Sequence, residues 1–188
     1  MTATTDNVLY GVHQIDIINL LATGADDPSA ISYTIDNPQD VGIAAVYEDG
    51  ARVVLRGGDD IIAVVEEDDK LTGFDVTFKV AELMPEVDAT ICGGVAGTNK
   101  WESPIDATEE AFPFEMTIYI ENYTESDSKS TLDGYIKFSF PFCKGRRGSQ
   151  DHAQQSFGSP SYTVKARKNE SGSPVLPAMS YEKVESIV

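Results

Sequence analysis

Paired carboxylates are the residues of this chain best suited to chemistry: Asp26-Asp27, Asp59-Asp60, Glu66-Glu67 and Asp68-Asp69. Two carboxylates that converge on one atom can hold a cation or divide acid–base work. Neighbouring residues in a strand point to opposite faces, so a consecutive pair rarely converges. None of these pairs has the spacing of a calcium loop, and they read as solvated turns. Distant carboxylates form a glycosidase dyad only at a separation that sequence does not specify. Cys92 and Cys143 have no His in a recognisable motif, and no Gly-x-Ser-x-Gly elbow occurs. His13 and His152 are too irregularly placed to complete a zinc site with the cysteines, and each reads as an ordinary hydrogen-bonding residue. Gly57-Gly58 runs into Asp59-Asp60, which would repel a phosphate rather than cradle it. The expectation is a chain without catalytic, cofactor-binding or metal-ligating residues, and not an enzyme.

Charge says more. The 188 residues carry 14 Lys+Arg against 31 Asp+Glu, a formal net charge of −17. Such a balance argues against gripping nucleic acid by its phosphates and against docking on anionic lipid. The longest aliphatic run, Ile61 to Val65, falls far short of the ~20 residues that span a bilayer. Met1 to Asp6 has neither the basic region nor the apolar core of a signal peptide, and both cysteines sit beside apolar residues; synthesis in the cytoplasm is expected. Acidic residues concentrate in the first hundred positions. The basic ones cluster late, as Lys144, Arg146 and Arg147, then Lys165, Arg167 and Lys168. They suit carboxylates of the same or another copy better than a phosphate. Trp101 reads as a packing or interface anchor.

The elements that must position these residues are mostly strands. Phe74, Val76, Phe78 and Val80 alternate with polar residues; so do Phe114, Met116, Ile118 and Ile120, and then Ile136, Phe138, Phe140 and Phe142. Each set predicts one core face and one polar face. Val8 to Leu21 changes phase, which predicts a bulge or burial on both sides. Gly42–Tyr47 and Arg52–Arg56 flank the turn at Glu48-Asp49-Gly50, and Ile61–Glu66 precedes the strand at Thr72. Weaker strands are expected at Ile31–Ile35, Tyr162–Ala166 and Met179–Val184. One short helix is predicted over about 85–92: Pro85 suits its first turn, Val87, Ile91 and Met84 share a face, and Gly93-Gly94 ends it. Thr98–Glu110, Thr124–Ser130 and the stretch from Lys144 to Ser161 read as loops. The whole is a mainly β sandwich or barrel-like domain with one flanking helix.

The order of these elements resembles the major tail (tail tube) proteins of tailed bacteriophages, most closely the long non-contractile kind. It runs from an N-terminal strand (Tyr10 to Leu20) through an acidic meander (Arg52 to Val80) to a helix directly after the strong strand (Glu82 to Gly94). Two long apolar strands follow (Phe112–Glu121 and Gly134–Phe142, closed by Phe142-Cys143-Lys144-Gly145), and then the strand Ser161–Ala166. The resemblance implies a single domain over 1–188, with an N-terminal arm (about 1–8), a long loop (about 144–160) and a C-terminal arm (about 169–188). It implies a structural virion protein whose hexameric rings stack into a hollow tube through which DNA passes without specific binding. It further implies contacts with other tail proteins (tape measure, tail terminator, baseplate or tip), no cofactor and no membrane. Contractile inner tubes share the architecture. On this reading Lys144, Arg146, Arg147, Lys165, Arg167 and Trp101 are candidate inter-subunit contacts. Asp59, Asp60, Glu66, Glu67, Asp68 and Asp69 are candidate lumen or interface acids. The alternatives from the residues alone are a monomeric β-sandwich binding module or another virion accessory protein.

Overall fold

A computed structural model of the chain describes residues 7–36, 38–57, 60–126, 129–150, 158–171 and 175–187. Strand β1 (Asn7–Asn19) contains the expected change of phase: its register against its neighbour slips between Tyr10 and Val12 and again between Val12 and Gln14. Gly11, at φ 66°, carries the first slip in a backbone region that side chains disfavour. Beyond the bulges Ile15 and Ile17 are fully buried. Next come β2 (Ser32–Ile35), β3 (Pro38–Glu48), β4 (Arg52–Gly57), β5 (Asp60–Glu66) and β6 (Lys70–Val80). Helix α1 (Pro85–Cys92) follows, with Pro85 in its first turn and Gly93 and Gly94 closing it at positive φ. A small hairpin of β7 (Val95–Gly97) and β8 (Lys100–Glu102) leads to the long strands β9 (Phe114–Ser126) and β10 (Lys129–Arg147), then β11 (Ser161–Ala166) and β12 (Ser180–Val184).

The fold is mainly β. Eight strands form one antiparallel sheet in the order β2-β1-β9-β10-β11-β6-β3, with β12 beside the stretch of β10 that β11 leaves free. The sheet curls until β1 touches β3, although four strands separate them in that order. Its concave face and α1 enclose the core of Ile15, Ile17, Val76, Phe78, Ile91, Phe114, Met116, Ile118, Phe140, Tyr162 and Val164. Burial of such side chains stabilises by about 1.5–3 kcal/mol each, which holds a two-turn helix that would melt alone.

Four expectations change. Phe142 does not share the core face with Phe138 and Phe140, because a bulge between Phe140 and Cys143 reverses the parity and turns Cys143 inward. Arg52 to Val80 is no simple meander: β3 pairs with β6, and β4 with β5 forms a separate ribbon inserted between them. The loop expected from Lys144 starts later, since β10 continues to Arg147 in register with Tyr162; residues 151–157 lie outside the described part. The tail from 169 is docked, with Asn169 bridged to Leu176, its Nδ2 donating to the Gly24 carbonyl at 3.0 Å, and β12 laid on β10. Residues 1–6 of the expected N-terminal arm are also outside the described part.

Register defines two ends of the curled sheet. Pro38, Val80, Ser161 and Arg147 lie at the end that α1 covers. Glu48, Lys70, β12, the start of β1 and the β9–β10 turn lie at the other. That second end is open.

Candidate assembly surface

At the covered end a polar cluster fastens the helix. Asp88 sits on the inner side of α1 with its side chain 3% exposed. It accepts a hydrogen bond from the Tyr162 hydroxyl at 2.9 Å and faces the Arg147 guanidinium at 3.4 Å. Burial raises its pKa, while the hydrogen bond from Tyr162 and the charge of Arg147 hold it down. Arg147 also donates to Gln150 at 2.8 Å and lies 5.3 Å from the centre of the Trp101 ring. The Trp101 Nε1 donates to the Gly93 carbonyl at 2.8 Å, at the end of the helix. Arg147 and Trp101, read from sequence as contacts between copies, are thus engaged within one chain. Sequence reasoning marks neither Asp88 nor Tyr162 as a site residue; the signal for Asp88 is a carboxylate beside the apolar pair Val87 and Ile91.

The same cluster keeps the thiols quiet. Burial and the charge of Asp88 push the Cys92 thiol up to about 11, and burial raises that of Cys143 further. Thiolate is the reactive form, so both cysteines are expected to resist iodoacetamide in the folded protein and to react on unfolding. Rapid labelling of folded protein, read by mass spectrometry, would contradict this placement.

The remaining basic candidates divide. Arg167 lies 3.8 Å from Asp75 and donates to the Ala166 carbonyl at 2.8 Å, so it too is held internally. Lys144 and Lys165 are directly opposite each other on β10 and β11, and Arg146 lies two residues further along the same outward face. All three are exposed, and none forms an ion pair among the described residues. Like charges placed opposite one another destabilise a strand pair; Lys165 has Asp75 opposite it on the other side, on β6, whereas Lys144 and Arg146 have no acidic partner among the described residues. Elsewhere the outward face is acidic. Asp16, Glu115, Glu121 and Glu182 stand on β1, β9 and β12 around Lys137, which is paired with Glu182 at 3.2 Å.

Four of the acidic candidates, Glu66, Glu67, Asp68 and Asp69, lie at the foot of the β4–β5 ribbon, and Asp60 lies at its tip. Glu66 meets Arg52 at 3.8 Å with both side chains largely in water. Asp69 accepts the Gly50 amide at 2.9 Å, and the Glu67 amide donates to the Ala51 carbonyl at 3.0 Å. Glu67 and Asp68 are exposed. Asp59 lies outside the described residues; Asp60 begins β5. No group of acidic, His or Cys residues suited to a metal ion occurs among the described residues.

The open end is apolar. Val53 faces Val65 across the ribbon and Leu55 faces Ala63, while Val54 faces Val64 on the other side. Val53, Leu55, Ile62 and Val65 are each 57–65% exposed. Isolated two-stranded ribbons are marginal in water, and this one presents apolar side chains on both faces. Nearby, Leu9, Asn122, Ile136, Phe138 and Tyr181 line an open groove of about 360 Å³. Val8, Tyr10, Tyr123 and Ser130 line another of about 310 Å³ on the opposite face. Among the described residues no helix is long and apolar enough to cross a membrane. No family model matches the chain, and no curated protein matches it.

Proposed function

We propose that this protein is a structural, self-assembling subunit of a phage-type tail tube, stacked as hexameric rings and positioned in the virion tail. The observation that carries this reading is the open end, where an apolar ribbon and two apolar grooves are left uncovered by the described residues. Large exposed apolar side chains grouped at one end mark an interaction site, and a second copy would cover them. The divided outward face supports the reading: unpaired Lys144, Arg146 and Lys165 lie on one part of it, acids on another, and neighbours in a ring would bring opposite signs together. The charge of −17 suits a channel whose wall repels DNA phosphates and lets the strand slide. The tape measure, terminator and baseplate proteins of such a tail would be its other partners.

Negative-stain electron microscopy tests the reading. Hollow filaments or six-fold rings are expected from concentrated protein, or on addition of an initiating tail complex. A monomer that stays unchanged under both conditions would overturn it. Charge reversal of the triad (Lys144→Glu, Arg146→Glu, Lys165→Glu) should suppress assembly while leaving the melting temperature within a few degrees of the parent, because exposed charges contribute little to folding. Tubes of normal yield from the triple variant would remove the triad from the interface.

A further inference from the structure

Two features of the open end fit each other. Among the described residues the β4–β5 ribbon pairs only with itself, and neither of its outer edges is paired. Strand β12 pairs with β10 along one edge and leaves the other edge unpaired. An exposed strand edge is a template for a further strand. Tyr181 of β12, 70% exposed, stands over the groove whose wall includes Leu9, Ile136 and Phe138. Asn122 lines that groove and is fully buried. Its Nδ2 donates to the Asp133 carbonyl at 3.4 Å, but its Oδ1 has no donor among the described residues. A buried acceptor left unanswered is costly, and it suits an occupant that brings polar backbone as well as apolar side chains.

We propose that the β4–β5 ribbon of one copy seats along the free edge of β12 in a second copy and closes the groove of Leu9, Asn122, Ile136, Phe138 and Tyr181. The identity of the occupant rests on the ring reading above. Heights in the sheet agree with it. Phe74 is level with Ala166, and Ala166 with Cys143. Lys70, at the foot of the ribbon, lies four residues beyond Phe74; Ser139 lies four residues beyond Cys143 in the same direction and is level with Ser180, where β12 begins. Ribbon and β12 therefore start at one height and run past the same end. Copies set side by side without axial shift would keep ribbon and β12 at a common height. The ribbon supplies the aliphatic side chains that the groove lacks, and the groove supplies the cover that the ribbon lacks.

The test is site-directed cross-linking of the full chain. Chains carrying only Val65→Cys are mixed with chains carrying only Tyr181→Cys under mild oxidation. A covalent dimer is expected from the mixture and not from either variant alone, the native thiols being protected as described. Val65→Asp should shift the assembly to monomer with the melting temperature preserved. A disulfide that forms only within the doubly substituted chain would mean that the ribbon folds onto its own β12, and would overturn the proposal. So would normal assembly of Val65→Asp together with no cross-link. The two readings fail separately: cross-linked oligomers without tubes leave this contact standing and remove the tube, whereas tubes indifferent to Val65→Asp do the reverse.

Discussion

Replacing Arg147 by Met is expected to lower the stability of the folded chain by about 2–3 kcal/mol at neutral pH, seen as a drop of roughly 5–10 °C in melting temperature. The reason is Asp88. Its carboxylate is almost wholly buried, and only the Tyr162 hydroxyl and the Arg147 guanidinium offset the loss of water. Removing one partner of a buried pair leaves the other charge unanswered, which costs more than the pair itself contributes. Met keeps an unbranched apolar stem in place of the arginine stem, so loss of the guanidinium, which faces Asp88 and lies over Trp101, is the main change. The pH dependence has a definite sign. The folded-state pKa of Asp88 lies above its unfolded value, mainly through burial. The folded state therefore binds more protons than the unfolded one between those two values, and this group's contribution to stability falls as pH rises through that window. Without Arg147 the folded pKa rises further and the window widens upward. The penalty of Arg147→Met should thus shrink as the pH is lowered from neutral toward the raised pKa. Asp88→Asn, which keeps an acceptor for Tyr162 without the charge, should largely remove the dependence. Thermal melts of both variants across pH decide the matter; a penalty independent of pH would mean that Asp88 is not held as described.

Gly145→Val should destabilise the chain by about 3 kcal/mol through a different mechanism. At Gly145 α1 lies directly on β10: a Cβ there would come within 2.3 Å of the Ile91 Cγ2 and 3.3 Å of the Val164 Cγ2. Both neighbours are fully buried, so neither can swing away. Helix and sheet would have to part, carrying Asp88 away from Tyr162. Ile91→Ala alone should cost a similar amount by leaving a cavity. Combined, the two substitutions relieve each other, and the double variant should be more stable than the sum of the singles predicts by at least about 1 kcal/mol. Additive losses in denaturant melts would show that Gly145 and Ile91 do not share this contact.

Much of the molecule is readable from its residues. Alternation in Thr72–Val80 and Phe114–Ile120 marks strands whose apolar residues do face the core, because a period of two is the geometry of the strand itself. Pro85 and Gly93 bound a helix for equally local reasons, and the phase slip near Gly11 announces a bulge.

Pairing is what local pattern leaves open. Arg52–Arg56 and Ile61–Glu66 alternate or run apolar as core strands do, yet they hang outside the sheet, because β6 finds its partners in β3 and β11. Their exposure, the feature that most supports assembly, is a property of strand order rather than of composition. Sequence placed Lys144, Arg146, Arg147, Lys165 and Arg167 in one basic set. The structure separates them, since the bulge after Phe140 turns Arg147 inward to Asp88 and leaves Lys144 and Arg146 facing out beside Lys165. Thr117 and Tyr119, polar by alternation, are buried on the outward face, where β9 is flanked on both sides by β1 and β10. Residue chemistry and period decided what each segment is. Only the curling of the sheet, driven by burial of one face against α1, decided which charges are answered among the described residues and which are not.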